Sequence, residues 1–286
     1  MKKRRQTVDY VVASPILRLL YDTKIGRVVL KVLTKPVISK MVGLFLDSPF
    51  STFLISDMVK KNGIVLSDYE KKRYKSFNDF FTRKIKPNKR IIDMNKDSLI
   101  SPCDSKLSVY NIEEKSIFKI KDSYYTVSDL LDGDEIAKEY EGGLCMIFRL
   151  CVDDYHRYCY IDDGYEVAYR RIDGELHTVQ PIALDKYNVY KRNSREYTIL
   201  KTKNFGKVVQ VEVGALFVGK ISNEHKGRYF RKGQEKGKFE FGGSTIVLLM
   251  KKDIVDIDED IIINTKNGKE TIVKVGEKIG TVKEKI

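Results

Sequence analysis

Two textures predict an α+β protein, helical and basic at its N-terminus and mainly antiparallel β beyond. Up to about residue 90, apolar residues recur at steps of three and four, the repeat of a helix face. From residue 98 to 286, short β-branched and aromatic runs alternate with turn signals, the pattern of strands joined by tight connections. Charge divides the chain in the same way. Residues 1–46 carry ten Lys/Arg against Asp9 and Asp22, which is +8 of the formal net charge of +13.

The first helix is read from "SPILRLLYDTKIGRVVLKVLTKP", with Ser14 as N-cap, Pro15 at the first helical position and Pro36 ending or kinking it. Ile25, Val28, Val29, Val32 and Leu33 form an apolar face, and Lys24, Arg27, Lys31 and Lys35 form a separate basic stripe. Such a helix suits an anionic membrane interface, and it equally suits a solvated helix packed on its own domain. "MVGLFLDSPFSTFLISDMVKKNG" is apolar and aromatic, and "KSFNDFFTRKIKPNKR" sets Phe77, Phe80 and Phe81 at helical spacing before a basic end. Residues 1–90 are therefore predicted as a helical, membrane-surface region, and 98–286 as a β-rich domain. Within the latter, "LCMIFRLCV", "EYTILKTKNFGKVVQVEVGALFVGKI", "STIVLLM" and "TIVKVGEKIGTV" read as strands, and "TVSDLLDG" as a short helix.

Bulk composition narrows the function classes. A 42% hydrophobic content in 286 residues is enough for a sizeable core, so wholesale disorder is excluded. The four cysteines, Cys103, Cys145, Cys151 and Cys159, include no CxxC pair, which fits a reducing compartment better than a disulfide scaffold or zinc knuckle. "MKKRR" is followed too soon by Asp9 to open a signal peptide, and no stretch of about 18 uncharged apolar residues predicts a membrane span. The positive balance favours polyanionic partners, either nucleic acid or an anionic lipid surface. A nucleic-acid role lacks an RRM-type aromatic strand signature or a zinc finger.

"FEFGGSTIVLLM" raises a chemical question. A turn explains one glycine ahead of a core strand, but not Gly242 and Gly243 with Ser244 and Thr245 behind them. Three other stretches stand out: "FNDFFTRKIKP", "SPCDSKLS" and "DYHRYCYIDDG". With "KGKFEFGGST", and in this order, they resemble the phosphatidylserine decarboxylases, over roughly residues 76 to 250. That resemblance implies a proenzyme that cuts itself between Gly243 and Ser244 into chains 1–243 (β) and 244–286 (α). Ser244 Oγ attacks the Gly243 carbonyl, the amide becomes an ester, and elimination followed by loss of ammonia leaves a covalent pyruvoyl group from Ser244. The glycine keeps that carbonyl unhindered. The pyruvoyl group then forms a Schiff base with phosphatidylserine and draws in the electron pair released with CO2, giving phosphatidylethanolamine.

The resemblance also implies roles for Asp104 in a self-cleavage relay and His156 as a proton donor. The family pattern is Tyr-His-Arg-x-His, and here Cys159 stands in the second histidine's place. Three accounts follow: Cys159 acts as the base, His156 serves both steps, or Asp104 acts on Ser244 directly. The reading adopted joins the last two. His177 reads as a surface residue that could lie near the pocket, and His225 as solvated. Neither has a partner at metal-ligand spacing, so no metal is expected. Lys220, Lys226, Arg228, Arg231 and Lys232 either attract the lipid phosphate or face water. Lys251 after Met250 could be the modified residue of a biotinyl-type carrier, but it ends a strand instead of centring a hairpin. A relative acting on another amine-bearing acid is a further alternative, against which the apolar N-terminal segment argues. The expected partners are phosphatidylserine and an anionic membrane surface, with no nucleic acid and with a possible homo-oligomer. The expected location is the cytoplasmic side of the cell membrane, peripherally bound.

Overall fold

Ser14 accepts a hydrogen bond from Leu17 N, and Pro15 starts the first helix. The structure, a computed structural model, describes residues 5–9, 14–71, 73–120, 123–133, 135–184, 186–216, 220–224 and 229–283. Lys2, Lys3, Arg4, His225, Lys226 and Arg228 fall outside these residues. The single helix predicted for residues 14–36 is two, α1 (Pro15–Asp22) and α2 (Lys24–Leu33). Thr23 is extended between them, and its hydroxyl caps α2 by accepting from Gly26 N at 2.9 Å. A side chain at Gly26 would reach to 2.1 Å of the Leu19 carbonyl, so glycine is what lets the two helices pack so closely. α3 (Pro36–Asp47), α4 (Phe53–Asn62) and α5 (Phe77–Phe81) complete the helical part.

Among the described residues no single helix is long and apolar enough to cross a membrane; the segments Pro36–Asp47 and Pro49–Asn62 reach that length and composition only as a pair bent by 78°. The helices leave many apolar residues outward, including Ile16, Leu19, Ile25, Val28, Val37, Leu44, Phe50 and Phe53.

The rest of the chain is mainly strand. In chain order these are β1 (Thr7–Val8), β2 (Ser98–Ile100), β3 (Ser105–Asn111), β4 (Ile117–Ile120), β5 (Ser123–Thr126), β6 (Leu144–Leu150), β7 (Arg157–Cys159), β8 (Gly164–Ile172) and β9 (Arg195–Thr202). β10 (Lys207–Val213), β11 (Ile221–Asn223), β12 (Tyr229–Phe230), β13 (Glu235–Phe239), β14 (Ser244–Met250), β15 (Val255–Ile257), β16 (Glu270–Val273) and β17 (Lys278–Val282) follow. Nine of them form one sheet in the order β1-β16-β3-β6-β14-β10-β9-β8-β12, with every pairing antiparallel. β14 lies at its centre with all seven residues buried, and after Ser244 and Thr245 it is apolar, as suits a strand covered on both faces. Two cores cover the two faces. One holds Val247, Leu249, Val209 and Val211; the other holds Ile246, Leu248, Met250 and Phe148. The predicted α+β class is the observed one. The helix expected at "TVSDLLDG" is present as Val127–Leu130, capped by Thr126.

Candidate active site

The four motifs converge at the start of β14. Ser244 is its first residue, paired with Leu150 of β6. Continuing the neighbouring registers by one residue sets Ser105 of β3 opposite Leu150, and Gly214 beside Ser244. Residues in one row across a sheet point to the same face, so Ser105 and Ser244 share the face of Ile246 and Leu248. Ser244 is fully buried, and its Oγ finds no hydrogen-bond partner among the described residues. The same holds for Ser105 Oγ and His156 Nε2. Buried polar atoms left unpaired cost roughly 1–3 kcal/mol each, so stability does not account for these three.

The loop ahead of Ser244 is shaped by its glycines in different ways. Gly242 has φ 133°, a backbone conformation that side chains rarely adopt. Gly243 is different: an added Cβ would meet only Leu150 O and Val179 Cγ2, both at an ordinary 3.6 Å. Packing does not require glycine at 243.

His156 flanks this loop. Its own carbonyl accepts from Phe239 N at 2.9 Å, and its ring lies 4.1 Å from that of Phe81, which in turn packs on Phe241 at 5.1 Å. Nδ1 is 2.9 Å from the Asp154 carbonyl, which can only accept, so Nδ1 carries the proton and Nε2 the lone pair. Burial, with Arg83 and Lys106 nearby, pushes the imidazole down to about 3, against a smaller opposing pull from the Asp154 and Gly242 carbonyls. The Gly242 carbonyl is close enough to act on the ring, although no hydrogen bond closes on Nε2.

Neither the Asp104 nor the Cys159 side chain is bonded to the Ser244 hydroxyl. The Asp104 carboxylate accepts from Arg90 Nη2 at 2.6 Å, Arg90 Nε at 3.1 Å and Val275 N at 2.9 Å, and Lys274 Nζ lies at 3.2 Å. Burial pushes this carboxyl up, but the two cations and the N–H outweigh it and leave it below the ordinary range. Among the described residues it makes no bond to Ser244, His156 or Cys159. The Cys159 thiol is buried and, with Glu235 adding to the effect of burial, is pushed up to about 12. It stays protonated near neutrality, which suits a packing role better than that of a base. Its N–H donates to Pro102 O at 2.9 Å.

One expectation changes. His177, read as a surface residue, is buried; Tyr21 OH lies 3.3 Å from Nδ1, Glu175 lies 3.1 Å from Nε2, and its ring stacks on Tyr187. Two residues on, Val179 is the side chain nearest the space beside Gly243. Lys251 is bonded to Glu139 at the end of the central strand, away from any hairpin tip.

Other residues of the site escaped the sequence reading. Asn78, inside "FNDFF", donates to Asp47 of α3 at 2.8 Å and accepts from Phe241 N at 3.1 Å, which ties the glycine loop to the helices. A polar residue among three phenylalanines was the available signal. Lys236 and Glu212 are a fully buried ion pair at 2.9 Å, with Glu212 opposite Ile246. Nothing in a strand pattern reveals such a pair. Cys151, Asp153 and Asp154 lie close enough for a metal, but Arg149 Nη1 donates to the Cys151 sulfur and Lys106 pairs with Asp154.

The comparisons agree with this convergence. The family model described as phosphatidylserine decarboxylase matches residues 77–281. The chain belongs to the phosphatidylserine decarboxylase family. It is 52% identical to phosphatidylserine decarboxylase proenzyme 2 of Clostridium acetobutylicum, over 92% of this chain and 91% of the relative. It is 43% identical to the proenzyme of Ruminiclostridium cellulolyticum (99% and 97% covered) and 40% identical to that of Clostridium tetani (98% and 96%). The family match begins at Phe77 and ends in β17, so it takes in all four motifs.

Proposed function

We propose that this chain is a proenzyme that cuts itself between Gly243 and Ser244, carries a pyruvoyl group at residue 244, and decarboxylates phosphatidylserine to phosphatidylethanolamine and CO2. The observation that carries this is the Ser244 hydroxyl, buried and unpartnered at the head of the central strand behind a loop whose last glycine the packing does not require.

Ser244 Oγ adds to the Gly243 carbonyl carbon, and the C–N bond breaks to leave an ester and a free amine at residue 244. Loss of the Cα proton expels the ester oxygen, so the first chain ends in the Gly243 carboxylate. Residue 244 is then a dehydroalanine, whose nitrogen leaves as ammonia when water adds. His156 suits the proton transfers. It is neutral, its free Nε2 faces the loop, and the Gly242 carbonyl stands ready to receive an N–H. Because burial disfavours the charged ring, a proton taken there is readily given up again, which serves transfer better than storage. A pyruvoyl ketone supplies the electron sink for CO2 loss.

Substrate access is supported by a cavity of about 510 Å³ between α3 and the sheet. It runs from Gly214, beside Ser244, to Lys40 and Leu44 on α3, and Arg171 and Lys220 also line it. Lys40 and Lys220 would draw the lipid phosphate inward, beside Arg171, which pairs with Asp173 and Glu196, while the acyl chains stay with the outward apolar residues of α3, Val37, Met41, Leu44 and Phe45. The exposed apolar face of α2 and its basic stripe suit the anionic inner leaflet of the cell membrane, where each Lys or Arg contributes about 1 kcal/mol.

A denaturing gel tests the central step. The native sequence should give pieces of 243 and 43 residues (286 less 243), and Ser244→Ala should stay whole. Active protein that remains a single uncut strand with a hydroxyl at residue 244 would overturn the assignment. Vesicles of phosphatidylserine set beside free serine test the lipid substrate.

A further inference from the structure

We propose a second ligand site on this protein, a phosphate-binding cavity between α2 and the segment joining β8 to β9, which holds the phosphodiester of an anionic phospholipid other than the one being turned over. The inference rests on the membrane-surface reading but not on self-cleavage.

The cavity measures about 510 Å³ and is lined by Lys24, Arg27, Lys31, His177, Tyr187 and Arg192 among others. It shares no lining residue with the substrate cavity. Lys24, Arg27 and Lys31 are one helical turn apart, so their side chains neighbour each other on one side of α2. Among the described residues none of the three has an ion-pair partner. Like charges so placed destabilise a helix unless an anion offsets them. The cavity's acid, Glu175, cannot do so. It is held by Arg192 at 3.0 Å and by His177 at 3.1 Å.

The far wall is built firmly. His177 is fixed between Tyr21 OH and Glu175 and stacks on Tyr187 at 4.4 Å, while the Arg192 guanidinium lies over the same Tyr187 ring at 5.4 Å. Burial holds His177 neutral, so it adds no charge of its own. What remains is three uncompensated cations on one side of a space large enough for a phosphodiester headgroup, with Arg192, paired to Glu175, on the other.

The neighbouring surface selects the source of that phosphate. Ile25, Val28, Val29 and Val32 of the same helix are 81%, 65%, 43% and 52% exposed. An apolar row alongside a cation-lined cavity matches a lipid, whose acyl chains and phosphate are displaced in the same sense. A nucleic acid would find phosphate contacts here but no free aromatic platform for its bases, since the Tyr187 ring is taken up by His177 and Arg192.

The test uses the uncut Ser244→Ala chain, so failure of the cleavage reading leaves it interpretable. Calorimetric titrations compare dihexanoyl phosphatidylglycerol below its micelle concentration, inorganic phosphate and a short single-stranded oligonucleotide. The soluble lipid should bind best. Arg27→Gln with Lys31→Gln should weaken it by about tenfold or more, roughly 1.4 kcal/mol. Lys60→Gln with Lys61→Gln removes the same charge from α4 and should leave affinity within about twofold, both double variants melting as the parent does. Equal losses in the two double variants, or none in the first, would overturn the site. Phosphate or oligonucleotide binding as tightly as the lipid would overturn its assignment to a phospholipid.

Discussion

Asp104 decides how the site is held together, and replacing it separates two roles. Its carboxylate is 2% exposed and meets Arg90, Lys274 and the Val275 N–H, joining the start of β3 to the turn between β16 and β17. Asp104→Asn keeps the shape and removes the charge, leaving two cations facing a neutral amide. Removing one partner of a buried pair costs roughly 3–5 kcal/mol. Arg90 and Lys274 keep 22% and 46% of their side-chain exposure, so water can recover part of their solvation. That places the loss near the lower end, about 3 kcal/mol, or a melting temperature lowered by roughly 6–12 °C at this chain length.

The assay is thermal unfolding of Ser244→Ala with and without Asp104→Asn, so that cleavage cannot confound it. The sign with pH follows from the depressed carboxyl. Its contribution is fully present above the unfolded value near 3.9 and is lost as pH falls through the lower folded value, so the two chains should converge in acid. In the otherwise native chain, a clamp role makes loss of self-cleavage follow loss of folding, and cooling should restore it. An Asp104→Asn chain that melts normally yet stays uncut at every temperature would refute the clamp and put Asp104 among the reacting groups.

Three further outcomes are expected. The unfolded chain takes up a proton at His156 near pH 6.5 that the folded chain refuses until about 3, so stability should fall as pH drops between these values. Urea unfolding across that range should show a shallower acid limb in Ser244→Ala/His156→Gln than in Ser244→Ala. With its thiol pushed up to about 12, Cys159 should resist iodoacetamide in the native protein, and Cys159→Ala should still cut itself; an uncut Cys159→Ala that folds normally would assign it the base. Val28→Asp with Leu44→Asp, at positions 65% and 73% exposed, should weaken binding to anionic vesicles by at least about tenfold while leaving melting unchanged.

The sequence shows which residues matter better than it shows how they are wired. The α+β division was visible because β-branched runs and helical spacing are local signals, and "STIVLLM" announces a covered strand by having no polar alternation. The split at Thr23 was not visible. An uninterrupted apolar repeat hides a single extended residue, and the hydroxyl that caps α2 is also a tolerable helix residue. Ser244 was legible through the three motifs that accompany it and the family they resemble, since two glycines before a strand read by themselves as a turn. The surroundings of Asp104 were not. Arg90, Lys274 and Val275 reach it from segments up to 171 residues away, and charge in a sequence does not say which opposite charge it will meet. His177 was misread for the same reason. Its partners Tyr21 and Tyr187 come from a helix and a connection that the sequence gives no cause to join.

Cutting a chain ahead of its central strand need not unmake the fold, and the register explains why. In the 43-residue piece, β14 pairs with β6 along seven residues and with β10 along five. Downstream, β16 pairs with both β1 and β3, and β17 pairs with β2 and β15. The piece therefore enters the 1–243 chain at β14, β16 and β17, and the Gly243–Ser244 peptide lies at the very edge of these ladders, where β14 begins. Arg5 adds a clasp from the opposite end of the longer chain, bonded to Asp258, Asp260, Glu277 and the Lys278 carbonyl. Dissociation would have to open the middle of a nine-stranded sheet and expose seven buried residues of β14, so it is tied to global unfolding. The two pieces should accordingly elute together in native buffer and part only where the uncut Ser244→Ala chain also unfolds. Release of the small piece at denaturant concentrations that leave Ser244→Ala folded would show that the peptide link, and not the sheet, holds the molecule together.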